Sequence, residues 1–101
     1  MSIIGTFKKQ DNGFQGTITT LTINAKVRIV AAEKQSDNAP EYRVFIGTSE
    51  VGAGWVKQSE GKAEYVSLKL DDPSLSAPLY ANLVEGKDRF NLLWNRPKSE
   101  H

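Results

Sequence analysis

Short runs that alternate apolar and polar residues, each closed by a turn signal after about 8–12 residues, recur along the whole chain. The clearest run places Ala25, Val27, Ile29 and Ala31 on one side and Lys26, Arg28 and Val30 on the other. Successive side chains of a strand point to opposite faces, so such a run buries one face and wets the other. No segment carries the 3.6-residue period of an amphipathic helix. About eight strands are expected, joined as hairpins in an antiparallel all-β domain. Closure into a small barrel and folding into a two-sheet sandwich both satisfy this pattern.

Ile3 to Gln10 reads as the first strand, and Asp11-Asn12-Gly13 as a hairpin turn whose residues tolerate positive φ. Phe14 to Ile23 follows, rich in threonine. Phe14 and Ile18 share one face while Leu21 and Ile23 fall on the other, so a bulge or bend is expected near Thr19 and Thr20. Residues 35–40 form a loop, and Glu41 to Gly47 a strand with Tyr42, Val44 and Ile46 on one side and Arg43 and Phe45 on the other. Large apolar groups on both faces make this a central strand rather than an edge. A turn at 48–50 leads into Val51 to Lys57, where Gly52 and Gly54 oppose Val51, Ala53 and Trp55. Glycines at that spacing leave a groove or admit a close neighbour.

The stretch from Tyr65 to Val84 holds the densest apolar material. Val66, Leu68 and Leu70, then Leu79, Ala81 and Leu83, read as two core-facing strands around a corner with Pro73 and Pro78. Glu85 to Asp88 is the last turn, after which Phe90, Leu92 and Trp94 close the core. Residues 1–95 are expected to form a single β domain and residues 96–101 a polar C-terminal tail.

Net charge is +1, from 13 basic and 12 acidic residues, which gives no global case for a polyanionic partner. The distribution is uneven: residues 1–34 hold five basic and two acidic side chains, and residues 35–75 hold four and seven. Cysteine is absent, so no disulfide framework supports the fold. No apolar run reaches the ~20 residues that span a bilayer as a helix. The opening residues lack the pattern of a signal peptide, which points to the cytoplasm.

Covalent and general-base catalysis find little to work with. There is no cysteine, and the single histidine is His101, the last residue. Asp71 and Asp72 are adjacent, and neighbours on a chain point apart; turn capping explains them better than a cation site. Gly52-Ala-Gly54-Trp55 lacks the third glycine and the helix of a dinucleotide fingerprint. No enzyme, cofactor, metal or small-molecule substrate is expected.

One constellation remains, a strand face that sets aromatic rings beside basic groups. By parity it draws on Lys26, Arg28, Arg43, Lys57, Lys69 and Tyr80, with Asn82 beside them and Trp55, Tyr65 and Tyr42 added according to register. Exposed rings of this kind stack on single-stranded bases at about 1–3 kcal/mol per base. The same rings are ordinary core material in a small β domain. The leading expectation is a non-enzymatic interaction module acting through a strand face or a sheet edge on a protein partner or on itself. A single-stranded nucleic-acid binder is the alternative.

Ile4-Gly-Thr-Phe7, Asp11-Asn-Gly-Phe14, Gly16-Thr-Ile18 and Thr20-Leu-Thr-Ile23 resemble the start of a bacterial domain-of-unknown-function family, number 736. The resemblance continues through Ser36 to Val44, Gly52-Ala-Gly-Trp55 and Tyr65 to Leu83, and reaches Trp94. Members are of similar size and are often encoded on conjugative plasmids and integrative elements. The resemblance implies no catalytic residue, cofactor or partner. It does imply a mobile-element setting, with contact to DNA-processing, transfer or defence-evasion machinery.

Overall fold

A computed structural model of the chain describes residues 2–33, 35–58 and 60–95. Eight strands follow one another: β1 (Ser2–Gln10), β2 (Gly13–Thr19), β3 (Asn24–Ala31), β4 (Tyr42–Ile46), β5 (Ser49–Gln58), β6 (Glu64–Leu70), β7 (Leu79–Glu85) and β8 (Phe90–Trp94). Each pairs antiparallel with the next, and β1 pairs with β8, so the meander closes into a barrel. Among the described residues there is no helix, and therefore none long and apolar enough to cross a membrane. Closure chooses between the two architectures that the alternation allowed. It also corrects the expectation of a usable sheet edge, because every strand has hydrogen-bonded neighbours on both sides. β4 is accordingly an interior strand of a continuous wall.

The barrel is filled by side chains, as eight strands leave an interior only wide enough for them. Phe7, Val27, Ile29, Val44, Leu68, Leu83 and Leu92 are almost completely buried, and no polar or charged side chain among the described residues joins them. Each such residue contributes about 1.5–3 kcal/mol through loss of apolar surface to water. The register explains the composition. Phe7 pairs with Gly16 on β2, and a Cβ on Gly16 would run into the Phe7 backbone and ring. Gly54 makes the same kind of room on β5, where the side chains of Leu68, Val66 and Tyr42 close over it.

Two bulges reset the parity of the strands. On β1 the pairing with β8 skips from Ile3 to Gly5, leaving Ile4 as an extra residue that is buried. On β5, Val44 pairs with Gly52 and Phe45 with Glu50, so Val51 is the extra residue and also points inward. Val51 therefore sides with the core and not with Ala53 and Trp55, as strict alternation had it. The parity change in the second strand has a different origin from a bulge. β2 ends at Thr19, and Thr20 Oγ1 accepts from the backbone N–H of Thr22 at 3.3 Å and of Ile23 at 3.0 Å. This turn leaves Leu21 fully exposed and returns Ile23 to the core's margin. The next hairpin turns at Gly47 and Thr48, one residue earlier than expected, with Gly47 at φ +62°.

The ends of the barrel differ. At one end Phe14 lies edge-on to Phe90 at 4.9 Å and tilted against Tyr42 at 5.7 Å, so aromatic rings close the opening. The expected polar tail, residues 96–101, lies outside the described residues.

Candidate functional site

With the interior filled by hydrocarbon, the polar and aromatic chemistry of β3 to β8 stands on the outer wall. The register arranges part of it in one row across five strands. Tyr80 on β7 pairs with Lys69 on β6, Lys69 with Ala53 on β5, Ala53 with Arg43 on β4, and Arg43 with Val30 on β3. A second row runs from Trp55 through Ser67 and Asn82 to Leu93, and Lys57 pairs with Tyr65 beside it. Tyr80 is 58% exposed, whereas Trp55 and Tyr65 are half-buried.

Two concavities meet at Tyr80. One, of about 480 Å³, is bounded by Trp55, Lys57, Ser67 and Lys69 together with Asp37 and Glu41 of the β3–β4 loop. The other, of about 650 Å³, runs over Tyr65, Asn82, Val84 and Leu93 toward Glu64 and Glu85. The loop that walls the first is fastened to β5. Trp55 Nε1 donates to the carbonyl oxygen of Asn38 at 3.1 Å, and the Val56 N–H donates to Glu41 Oε2 at 2.7 Å. β5 extends beyond the end of β4 here, so the Glu41 carboxylate takes a backbone donor that has no strand partner on that side.

Six of the expected residues therefore come together: Trp55, Lys57, Tyr65, Lys69, Tyr80 and Asn82 share the outer face of β5 to β7. Arg43 borders it but is engaged, its Nη1 lying 3.3 Å from Glu50 Oε1 in an ion pair exposed on both sides. Lys26 and Arg28 do not join. Lys26 pairs with Thr17 and Arg28 with Gln15 on β2, around the wall from Trp55. Arg28 is held locally, with its guanidinium over the Phe45 ring at 5.3 Å and Nη2 donating to the Gly47 carbonyl at 2.9 Å. Tyr42 leaves the face altogether, because it pairs with Ala31 and Gly54 on the inner side and packs on Phe14. Glu41, Val84 and Leu93 belong to the same concave region without having been singled out. Leu93 was readable by parity, lying opposite to Leu92; the Glu41 contact depends on loop geometry that no periodicity encodes.

Asp71 and Asp72 lie in the β6–β7 connection. Asp72 Oδ2 accepts from the Ser74 hydroxyl at 2.6 Å and from its N–H at 3.0 Å, closing a local turn. These bonds, the hydroxyl's first, hold the Asp72 carboxyl below its ordinary pKa.

Fold and surface together define a small up-and-down β-barrel protein with a hydrocarbon interior and an aromatic, mixed-charge patch on one side of its wall. A family model described as "Protein of unknown function (DUF736)" matches residues 3–97, and the chain belongs to that family. No curated protein and no solved structure matches it.

Proposed function

We propose that this protein is a non-enzymatic binding module that recognises a protein partner through the outer face of β5 to β7. The observation that carries the reading is the placement of Trp55, Tyr65 and Tyr80 on the solvent side of a wall whose interior is already filled. Aromatic residues at the centre of a patch with a polar rim are the usual anchors of protein interfaces. Charge favours a protein over a polyanion: Lys57 and Lys69 stand among Asp37, Glu41, Glu64 and Glu85, and Arg43 is matched by Glu50. The lack of cysteine and the position of the single histidine at residue 101 support a non-catalytic role. A cytoplasmic setting connected with mobile genetic elements fits the family resemblance.

The test is affinity capture from the native host with the intact protein and with the double variant Tyr80→Ala, Lys69→Ala, alongside sizing of the isolated chain. A stoichiometric partner, or a discrete oligomer, that the double variant loses is the expected result. A wild-type chain that stays monomeric and captures nothing stoichiometric contradicts it.

A second reading, single-stranded nucleic-acid binding, is favoured by one observation: the exposed Tyr80 ring beside Lys69. Fluorescence anisotropy with labelled oligonucleotides over a salt series separates the two readings, because phosphate contacts weaken as salt rises. Absence of binding at low salt removes the second one.

A further inference from the structure

We propose that the open end of the barrel, opposite the Phe14–Tyr42–Phe90 rings, is a binding site for a small amphiphilic cation: an ammonium group on a short hydrocarbon body. The cavity there measures about 270 Å³. That is well above the ~150 Å³ of a dry apolar cavity that accepts benzene. Ile18, Ile23, Ile46, Val51, Leu70 and Leu79 supply hydrocarbon walls, and Leu75 of the β6–β7 connection lines the cavity with them.

Three local devices keep this end open while the other is plugged. The Thr20 turn brings Ile23 back to the rim without covering it. The β5 bulge turns Val51 into the barrel, where it forms part of the cavity wall. The Asp72–Ser74 turn, with the Leu75 N–H donating to the Asp72 carbonyl at 2.8 Å, sets Leu75 at the margin rather than inside.

Charge selects the occupant. The polar groups lining the cavity are Ser49, Asp71, Asp72 and Ser74, and neither lysine nor arginine lines it. A hydrocarbon pocket whose lining includes two aspartates, one of them already bonded to Ser74, and no basic residue favours an apolar body with a cationic head over a fatty acid of the same length. The site is on the barrel's end, not on the β5–β7 wall, and its occupancy is independent of the partner reading above.

The test is a ¹H–¹⁵N NMR titration of the full chain at neutral pH with n-hexylamine, hexanoate and 1-hexanol. Hexylamine is expected to bind saturably, with a dissociation constant on the order of 1 mM for so few atoms. Its shifts should fall on Ile23, Val51, Leu70 and Leu79, and hexanoate should produce none. Asp71→Asn, which leaves the Asp72–Ser74 turn intact, is expected to weaken hexylamine by about 1.5- to fivefold, the range of one exposed ion pair. Equal binding of hexanoate and hexylamine, shifts confined to the outer wall, or no saturation by hexylamine overturns the proposal. Should Asp71→Asn fail to fold, the comparison of the three probes on the wild-type chain still decides.

Discussion

The Trp55 indole and the Asn38 carbonyl oxygen are joined by a hydrogen bond of 3.1 Å, which lays the β3–β4 loop against the wall that carries Tyr80 and Lys69. A tryptophan on the outside of a filled barrel thus acts as a fastener for the rim of the candidate surface. Trp55→Phe keeps most of the ring's area and removes the donor. The expected cost is about 0.5–1.5 kcal/mol, the net worth of one hydrogen bond. Amide exchange in residues 35–40 should accelerate more than exchange in the core strands. Unchanged loop protection would show that the loop is held by other contacts.

Gly54 is required by the interior. A Cβ there would lie 2.7 Å from Leu68 Cδ2 and 2.9 Å from Val66 Cγ1, both of them core atoms. Gly54→Ala is expected to destabilise the fold by about 1–3 kcal/mol through overpacking, read from urea unfolding midpoints. Leu92, fully buried, makes the complementary case: Leu92→Ala removes packed volume and should cost about 2–5 kcal/mol.

Asp72 gives a pH signature whose sign is fixed. Its folded pKa lies below the unfolded value because the charged form accepts from Ser74. The stabilisation is complete above the ordinary carboxylate pKa and is lost as the pH falls through the lowered folded value. Thermal unfolding of wild type and Asp72→Asn should differ at neutral pH and converge in acid. A difference that persists or grows below the carboxylate range contradicts this account. The group is exposed, so the effect is small.

Most of the barrel was legible in alternation alone. Ala25 to Ala31 and Tyr65 to Val84 read correctly because each strand has one face in hydrocarbon and one in water, and period two records that directly. Val51 did not, since a bulge inserts a residue without leaving a compositional mark. Closure was equally invisible: the β1–β8 pairing joins the two ends of the chain, and nothing local to Ser2 or Trp94 announces it. For the candidate surface, parity placed Lys57, Lys69, Tyr80 and Asn82 on the outside. It could not say that Arg28 would be spent on Phe45 and Gly47, or that Lys26 would lie around the wall. The cavity at the barrel's open end depends on two turns and a bulge acting together and had no signal in the sequence.

The pairing of Tyr80 with Lys69 at the meeting point of the two concavities is where the proposed function is most exposed to test. Both side chains are on the surface, so replacing them should change stability by no more than about 0.5 kcal/mol. Quantitative affinity capture with wild type and with Tyr80→Ala, Lys69→Ala at matched thermal stability is the direct measurement. The account predicts a stoichiometric partner with wild type that is lost, or recovered at least about tenfold less, with the double variant. Equal recovery by the two chains, with unfolding temperatures unchanged, would contradict it.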